Sequence, residues 1–100
     1  MAYVIFEVEQ EKAGKINTLT RDDIVSRQSI LTRDASSLLD SKENVMYVKI
    51  EGSDEGLKRA EELAKELDFK KLDEQKAKEI NKKIEEQEDS AASGIGMIFD

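Results

Sequence analysis

Two short stretches of the chain alternate in the manner of strands. In residues 2–9, AYVIFEVE, Val4, Phe6 and Val8 fall on one side of an extended chain, and Tyr3, Ile5 and Glu7 on the other. In residues 45–51, VMYVKIE, Met46, Val48 and Ile50 oppose Val45, Tyr47 and Lys49. Both runs are rich in β-branched and aromatic residues, which suit a pleated surface. Each carries apolar residues on both sides, so each is expected to be covered on both faces at its apolar end.

Two further stretches carry helical spacing. Leu57, Ala60, Leu63, Ala64 and Leu67 recur every three or four residues behind Gly52-Ser53-Asp54-Glu55. Ser53 is the expected N-cap, with Asp54 and Glu55 at the positive end of the helix dipole. Glu61–Lys65 and Glu66–Lys70 have the spacing of outer-face ion pairs. After the joining residues 68–71, Leu72 precedes a capping Asp73. Ala77, Ile80 and Ile84 then form a thin stripe, flanked by Glu74–Lys78 and Glu79–Lys83. A narrow stripe predicts a helix that covers the margin of a core. In the closing SGIGMIFD, Ile95, Met97 and Phe99 alternate with Gly94, Gly96 and Ile98, which predicts a terminal strand with glycines at a close approach.

Residues 10–44 are less decided. Residues 10–20 read as a polar loop, with an extended piece at 16–19. Leu-Thr-Arg-Asp occurs at 19–22 and again at 31–34. Thr20 followed by Asp23, and Thr32 followed by Asp34, resemble helix starts. Three readings stand: helices at 21–28 and 33–40; a strand at 29–32 between them; or one helix through both. Residues 40–44 read as a turn.

The assembled expectation is one domain over residues 1–100. It is an α+β two-layer sandwich with a three- or four-stranded sheet and helices packed on one face. Residues 45–99 suggest a right-handed parallel crossover. A ferredoxin-like arrangement is the nearest common template; its fourth strand has to come from 13–19 or 29–32.

Composition narrows the chemistry. The 100 residues are 38% hydrophobic and 39% charged, with five aromatic residues and no Trp, His, Cys or Pro. Without Cys there is no disulfide, thiolate metal site or cysteine nucleophile, and without His the usual general base near neutral pH is missing. The net charge is −7. Residues 51–100 hold most of the excess, with fifteen Asp or Glu against nine Lys or Arg. Such a domain repels phosphate backbones and anionic membrane surfaces. No apolar run approaches membrane-spanning length, and MAYVIFEVEQ lacks the basic and small-residue signals of a secretory leader. The expectation is a soluble cytoplasmic protein.

Few residues are candidates for a site. Arg21, Arg27 and Arg33 recur every six residues; with Thr20 and Thr32 at the two expected helix starts, they form the candidate anion-binding set. Asp22, Asp23 and Asp34 lie beside them and would neutralise them as surface pairs. Gly94-Ile-Gly96 lacks the following helix that a phosphate loop needs. Glu85, Glu86, Glu88 and Asp89 match no calcium loop. Ser26, Ser29, Ser36 and Ser37 have no nucleophile-elbow or Ser-x-x-Lys context. No catalytic residues, metal ligands or cofactors are expected.

The order YVIFEVE, VMYVKIEGSDEGLKRAEELAKEL, then a Lys/Glu-rich helix ending in GIGMIF resembles the small conserved uncharacterised proteins of methanogenic archaea. The resemblance implies a cytoplasmic protein and carries over no site residues. KIEGSDEGLKRAEEL also resembles the strand-to-helix unit of ferredoxin-like regulatory domains. The functional expectation is a non-catalytic module that binds a protein partner or assembles with itself. The alternative is a small-molecule or anion sensor using the Arg21 to Arg33 region. Nucleic-acid and membrane binding are not expected.

Overall fold

The computed structural model describes residues 2–35 and 44–99, and for 89–99 the backbone alone. Strand β1 (Ala2–Glu9) lies antiparallel to β3 (Val45–Gly52), with Val4 opposite Ile50 and Phe6 opposite Val48. Strand β2 (Ser29–Asp34) pairs antiparallel with the other side of β3, and β4 (Lys70–Lys71) pairs with β1 at Phe6 and Glu7. The sheet order is β2-β3-β1-β4. The α+β class and the four-stranded sheet are as the pattern predicts, and 29–32 does supply the fourth strand. Element order and strand order together reproduce a ferredoxin-like βαββαβ arrangement.

The first crossover is broken into short pieces. A 3-10 helix (Gln10–Lys15), α1 (Ile16–Thr20) and a second 3-10 turn (Val25–Arg27) replace the expected loop and extended piece. Thr20 ends α1 and caps no helix: its hydroxyl donates to the Asn17 carbonyl at 3.4 Å. Asp22 starts the next turn, its Oδ2 accepting from the Ile24 and Val25 N–H groups at 3.1 and 3.2 Å. Thr32 is a strand residue, so the second expected helix start at 33 is corrected to β2; residues 36–43, with Ser36, Ser37 and most of the expected turn, lie outside the described residues. Ile30 and Leu31 place one apolar side chain on each sheet face, which favours strand over helix here.

The second crossover is α2 (Asp54–Glu66), begun as expected by Ser53, whose Oγ accepts from the Gly56 N–H at 3.1 Å. Its stripe packs on the sheet face carrying Val4, Phe6, Val8, Val48 and Ile50, and Ile16, Leu19 and Val25 join the same cluster. Both crossovers thus share one face, as right-handed connections require. The helix closes in a Schellman motif, with Phe69 N–H on the Ala64 carbonyl, Asp68 N–H on the Lys65 carbonyl, and Asp68 at φ 61°. Phe69 is buried in that cluster. This turn aims the chain back along β1.

Helix α3 (Glu74–Phe99) covers the opposite face. Ile80 and Ile84 are buried there with Ile5, Tyr47, Leu72 and Ala35. The terminal strand expected at 93–99 is therefore corrected: the backbone is helical to Phe99, and the parallel crossover over 45–99 is replaced by antiparallel pairing of β4 with β1. The reason is visible in the spacing. Ala77, Ile80, Ile84, Ala91, Ile95 and Ile98 stand at intervals of three, four and seven in the sequence, so a helical period runs through the segment alongside the alternation of Ile95, Met97 and Phe99.

Candidate functional site

The arginine set does not converge. Arg27 pairs with Asp23 at 3.4 Å, both side chains exposed, on the segment that packs against α2. Arg21 is exposed at the end of α1. Arg33 lies across the sheet from them. Its Nε donates to Gln87 Oε1 of α3 at 3.0 Å, its Nη1 to the Thr32 carbonyl at 2.8 Å, and its Nη2 lies 3.9 Å from Glu88. The three arginines lie on different elements, Arg21 at the end of α1, Arg27 in the second 3-10 turn and Arg33 in β2, so a regular interval along the sequence does not bring their side chains together.

Among the described residues four groups have displaced pKa values, and all belong to ion pairs that tie the first crossover to the second. Hydrogen bonding to Arg59 holds the Asp22 carboxyl below the ordinary aspartate value, and the bond from Lys12 does the same for Asp68. Lys12 and Arg59 are raised by the same bonds. Among the described residues no three or more His, Cys, Asp or Glu side chains gather as a metal site. No helix among them is long and apolar enough to cross a membrane.

Among the described residues, the outer sides of the edge strands carry backbone groups that no further strand pairs with. Leu72 N–H donates to the Ile5 carbonyl at 3.0 Å, so the backbone groups of Ile5 face β4. Backbone direction repeats every second residue along a strand, so Tyr3 faces the same way and the even residues face β3. The Gln10 N–H to Asn44 carbonyl bond at 3.0 Å agrees. Carried through Val4↔Ile50 and Leu31↔Lys49, the alternation turns Ile30, Thr32 and Asp34 outward on β2. The guanidinium of Arg33 on the Thr32 carbonyl agrees again. Among the described residues no strand pairs with that side of β2.

On the β1 side, the start of α3 explains why the edge is open. Asp73 caps the helix, Oδ1 accepting from the Lys76 N–H at 2.8 Å, and Leu72 packs with Ala77 in the manner of a hydrophobic staple. The chain therefore leaves the sheet one residue after β4, and Tyr3, opposite Glu51 of β3 on its other side, has no partner in register on the β4 side among the described residues. The space left is a groove of about 380 Å³, with Tyr3, Val4, Ile5, Leu72 and Ala77 in its lining and Lys71, Glu74 and Lys78 at its margin. The sequence put Tyr3 on one strand face with Ile5 and set Leu72 ahead of the capping Asp73, but it did not locate this edge. The Leu72-Asp73 and Ala77 spacing was the available signal that β4 had to stop. No family model matches the chain, and no curated protein or solved structure proves similar to it.

Proposed function

We propose that the chain is a small non-catalytic interaction module that engages a protein partner, or a second copy of itself, along an open edge of its sheet. The supporting observation is the row of outward backbone groups at Ile30 and Asp34 and the outward Thr32 N–H on β2, where the Thr32 carbonyl is taken by Arg33, together with those of Tyr3 on β1. Such edges recruit extended segments by strand addition, the main chain giving affinity and alternate side chains giving specificity. The acidic surface, with a net charge of −7, disfavours polyanionic partners.

Sedimentation equilibrium over a wide concentration range tests self-assembly. Selection of a random peptide display library on the immobilised chain tests partner binding. The expected result is a mass that rises with concentration, or enriched extended peptides that slow amide exchange at the outward positions. A monomer that enriches no peptide overturns the reading. Chemical-shift changes at Arg21, Arg27 and Arg33 on adding phosphate or nucleotides would put an anion sensor in its place.

A further inference from the structure

We infer that the chain pairs with a second copy of itself through β2, the two strands antiparallel about a two-fold axis at Thr32, and that the end of α3 in each copy lies across the sheet of the other. The inference rests on the interaction-module reading and names the edge and the partner.

The path of α3 selects this edge. Ala77 lies with Leu72 at the β4 and β1 side, Ile80 and Ile84 lie with Ile5 and Tyr47, and Gln87 meets Arg33 of β2. The helix therefore crosses the strands in the order β4, β1, β3, β2. Its backbone stays helical to Phe99, eleven residues past Glu88. At about 1.5 Å per residue, that carries it roughly 16 Å past the β2 edge.

The same path leaves part of that edge uncovered. α3 crosses β2 at its Arg33 end, and Ala35 just beyond is buried with Ile84. Toward Ser29 and Leu31 the same face keeps a hollow of about 160 Å³, lined also by Lys49 and Glu51 and bounded by Glu88. In an antiparallel pair about Thr32, Ile30 stands opposite the second copy's Asp34, and outward backbone groups meet in register. The Ser29 end of one strand then adjoins the Arg33 end of the other. An axis normal to the sheet keeps both helices on one face. The overhang of each α3 thus arrives over the hollow of its partner.

Charge and helix stability choose the occupant. Residues 90–99, SAASGIGMIF, are the longest run without a charged residue in a chain of net charge −7. Two acidic copies repel least where such a run and the uncharged 28–32, QSILT, form the joint. Gly94 and Gly96 are poor helix formers, and no pair of opposite charges supports the run. A helix of this composition is held by packing, and the second copy's sheet supplies it. Six strand residues and eleven helix residues a side fall short of the roughly 20–30 in a standard interface, so the dimer is reversible. The Arg33 guanidinium must also leave the Thr32 carbonyl before the central pair closes, which weakens the dimer further.

The test is sedimentation equilibrium of the full chain up to millimolar concentration, with amide exchange and spectra of mixed labelled and unlabelled copies. The mass should rise from one copy to two and stop there, because a two-fold joint closes on itself. Exchange should slow at Ile30, Thr32 and Asp34, and NOEs between copies should join 91–99 to Leu31 and Lys49. Ile95→Asp should raise the dissociation constant about tenfold or more, with the melting curve of the dilute monomer unchanged. A dimer indifferent to Ile95→Asp and lacking those NOEs overturns the part given to α3. Growth beyond two copies, or protection at Tyr3 instead, overturns this joint and leaves the interaction module standing. A strict monomer that selects extended peptides does the same, and one that selects none overturns both.

Discussion

Arg59 of α2 places both Nε and Nη2 at 3.2 Å from one oxygen of Asp22, while the other oxygen of Asp22 accepts the Ile24 and Val25 N–H groups. One carboxylate thus caps a turn of the first crossover and joins it to the second. The Arg59 bond lowers its pKa, partial desolvation opposes this, and the two backbone N–H groups add to the lowering.

A carboxyl held below its unfolded value stabilises the fold above that value and loses the contribution as pH falls through the folded pKa. Asp68, lowered by Lys12, acts in the same direction. The melting temperature should therefore fall steeply below about pH 4, near the ordinary aspartate value. Asp22→Asn should lower the melting temperature at neutral pH and make the acid limb shallower. Thermal melts at several pH values check this, and an unchanged acid limb in the variant would remove Asp22 from the account. Lys12 and Arg59, both raised, act at the alkaline end: their contributions hold below the unfolded values and are lost as pH rises through the folded ones.

Gln28 occupies space that two glycines leave open. Its Oε1 accepts from the Ser53 N–H at 3.0 Å and its Nε2 donates to the Ile24 carbonyl at 3.0 Å. A Cβ on Gly52 or Gly56 would overlap its carboxamide. Gly56→Ala gains up to about 1 kcal/mol of helix propensity. It displaces two hydrogen bonds worth about 0.5–1.5 kcal/mol each. The net effect should be destabilising by roughly 1 kcal/mol. With Gln28→Ala already present, the same substitution should stabilise instead. Denaturant melts of the four species measure the coupling, and additive effects would mean the glycines serve no such purpose.

The faces of β1 and β3, the Ser53 cap and the α2 stripe were legible because each depends only on local period and cap chemistry. β2 was ambiguous because Ile30 and Leu31 are its only apolar residues, too few to choose a period. The end of α3 was misread because Ile95, Met97 and Phe99 satisfy a strand's alternation while Ile95 and Ile98 satisfy a helix's spacing. β4 was illegible: two lysines become a strand only because Asp68 turns the chain and Leu72 reaches Ile5. The groove at Tyr3 depends on where β4 stops, and no single window of sequence contains both.

Ile80 tests whether α3 belongs to the core. It is 1% exposed, sealed against Ile5, Tyr47 and Leu72 on the face α2 does not reach. Ile80→Ala removes buried methyl and methylene groups and leaves a cavity, a change that costs about 2–5 kcal/mol at buried aliphatic sites. Chemical denaturation should show this loss, against a total of about 5–15 kcal/mol for domains of this kind. A cost within about 0.5 kcal/mol, the ordinary effect of a surface change, would mean that α3 is detached in solution.

Arg33 guards the other edge. Thr32 presents its carbonyl outward from β2, and the Arg33 guanidinium occupies it while holding Gln87 of α3. A charged group placed on an edge strand is a common means of blocking sheet-to-sheet pairing. In Arg33→Ala the carbonyl is free, and Ile30, Thr32 and Asp34 of two chains can pair about a two-fold axis through Thr32, each outward group meeting its counterpart. The variant should keep its circular dichroism yet show a mass that rises with concentration more steeply than the parent, with protected amides in β2. Arg33→Lys, which keeps the charge and loses the planar fork, should fall between them. If Arg33→Ala associates no more than the parent while remaining folded, the edge is closed by something other than this side chain.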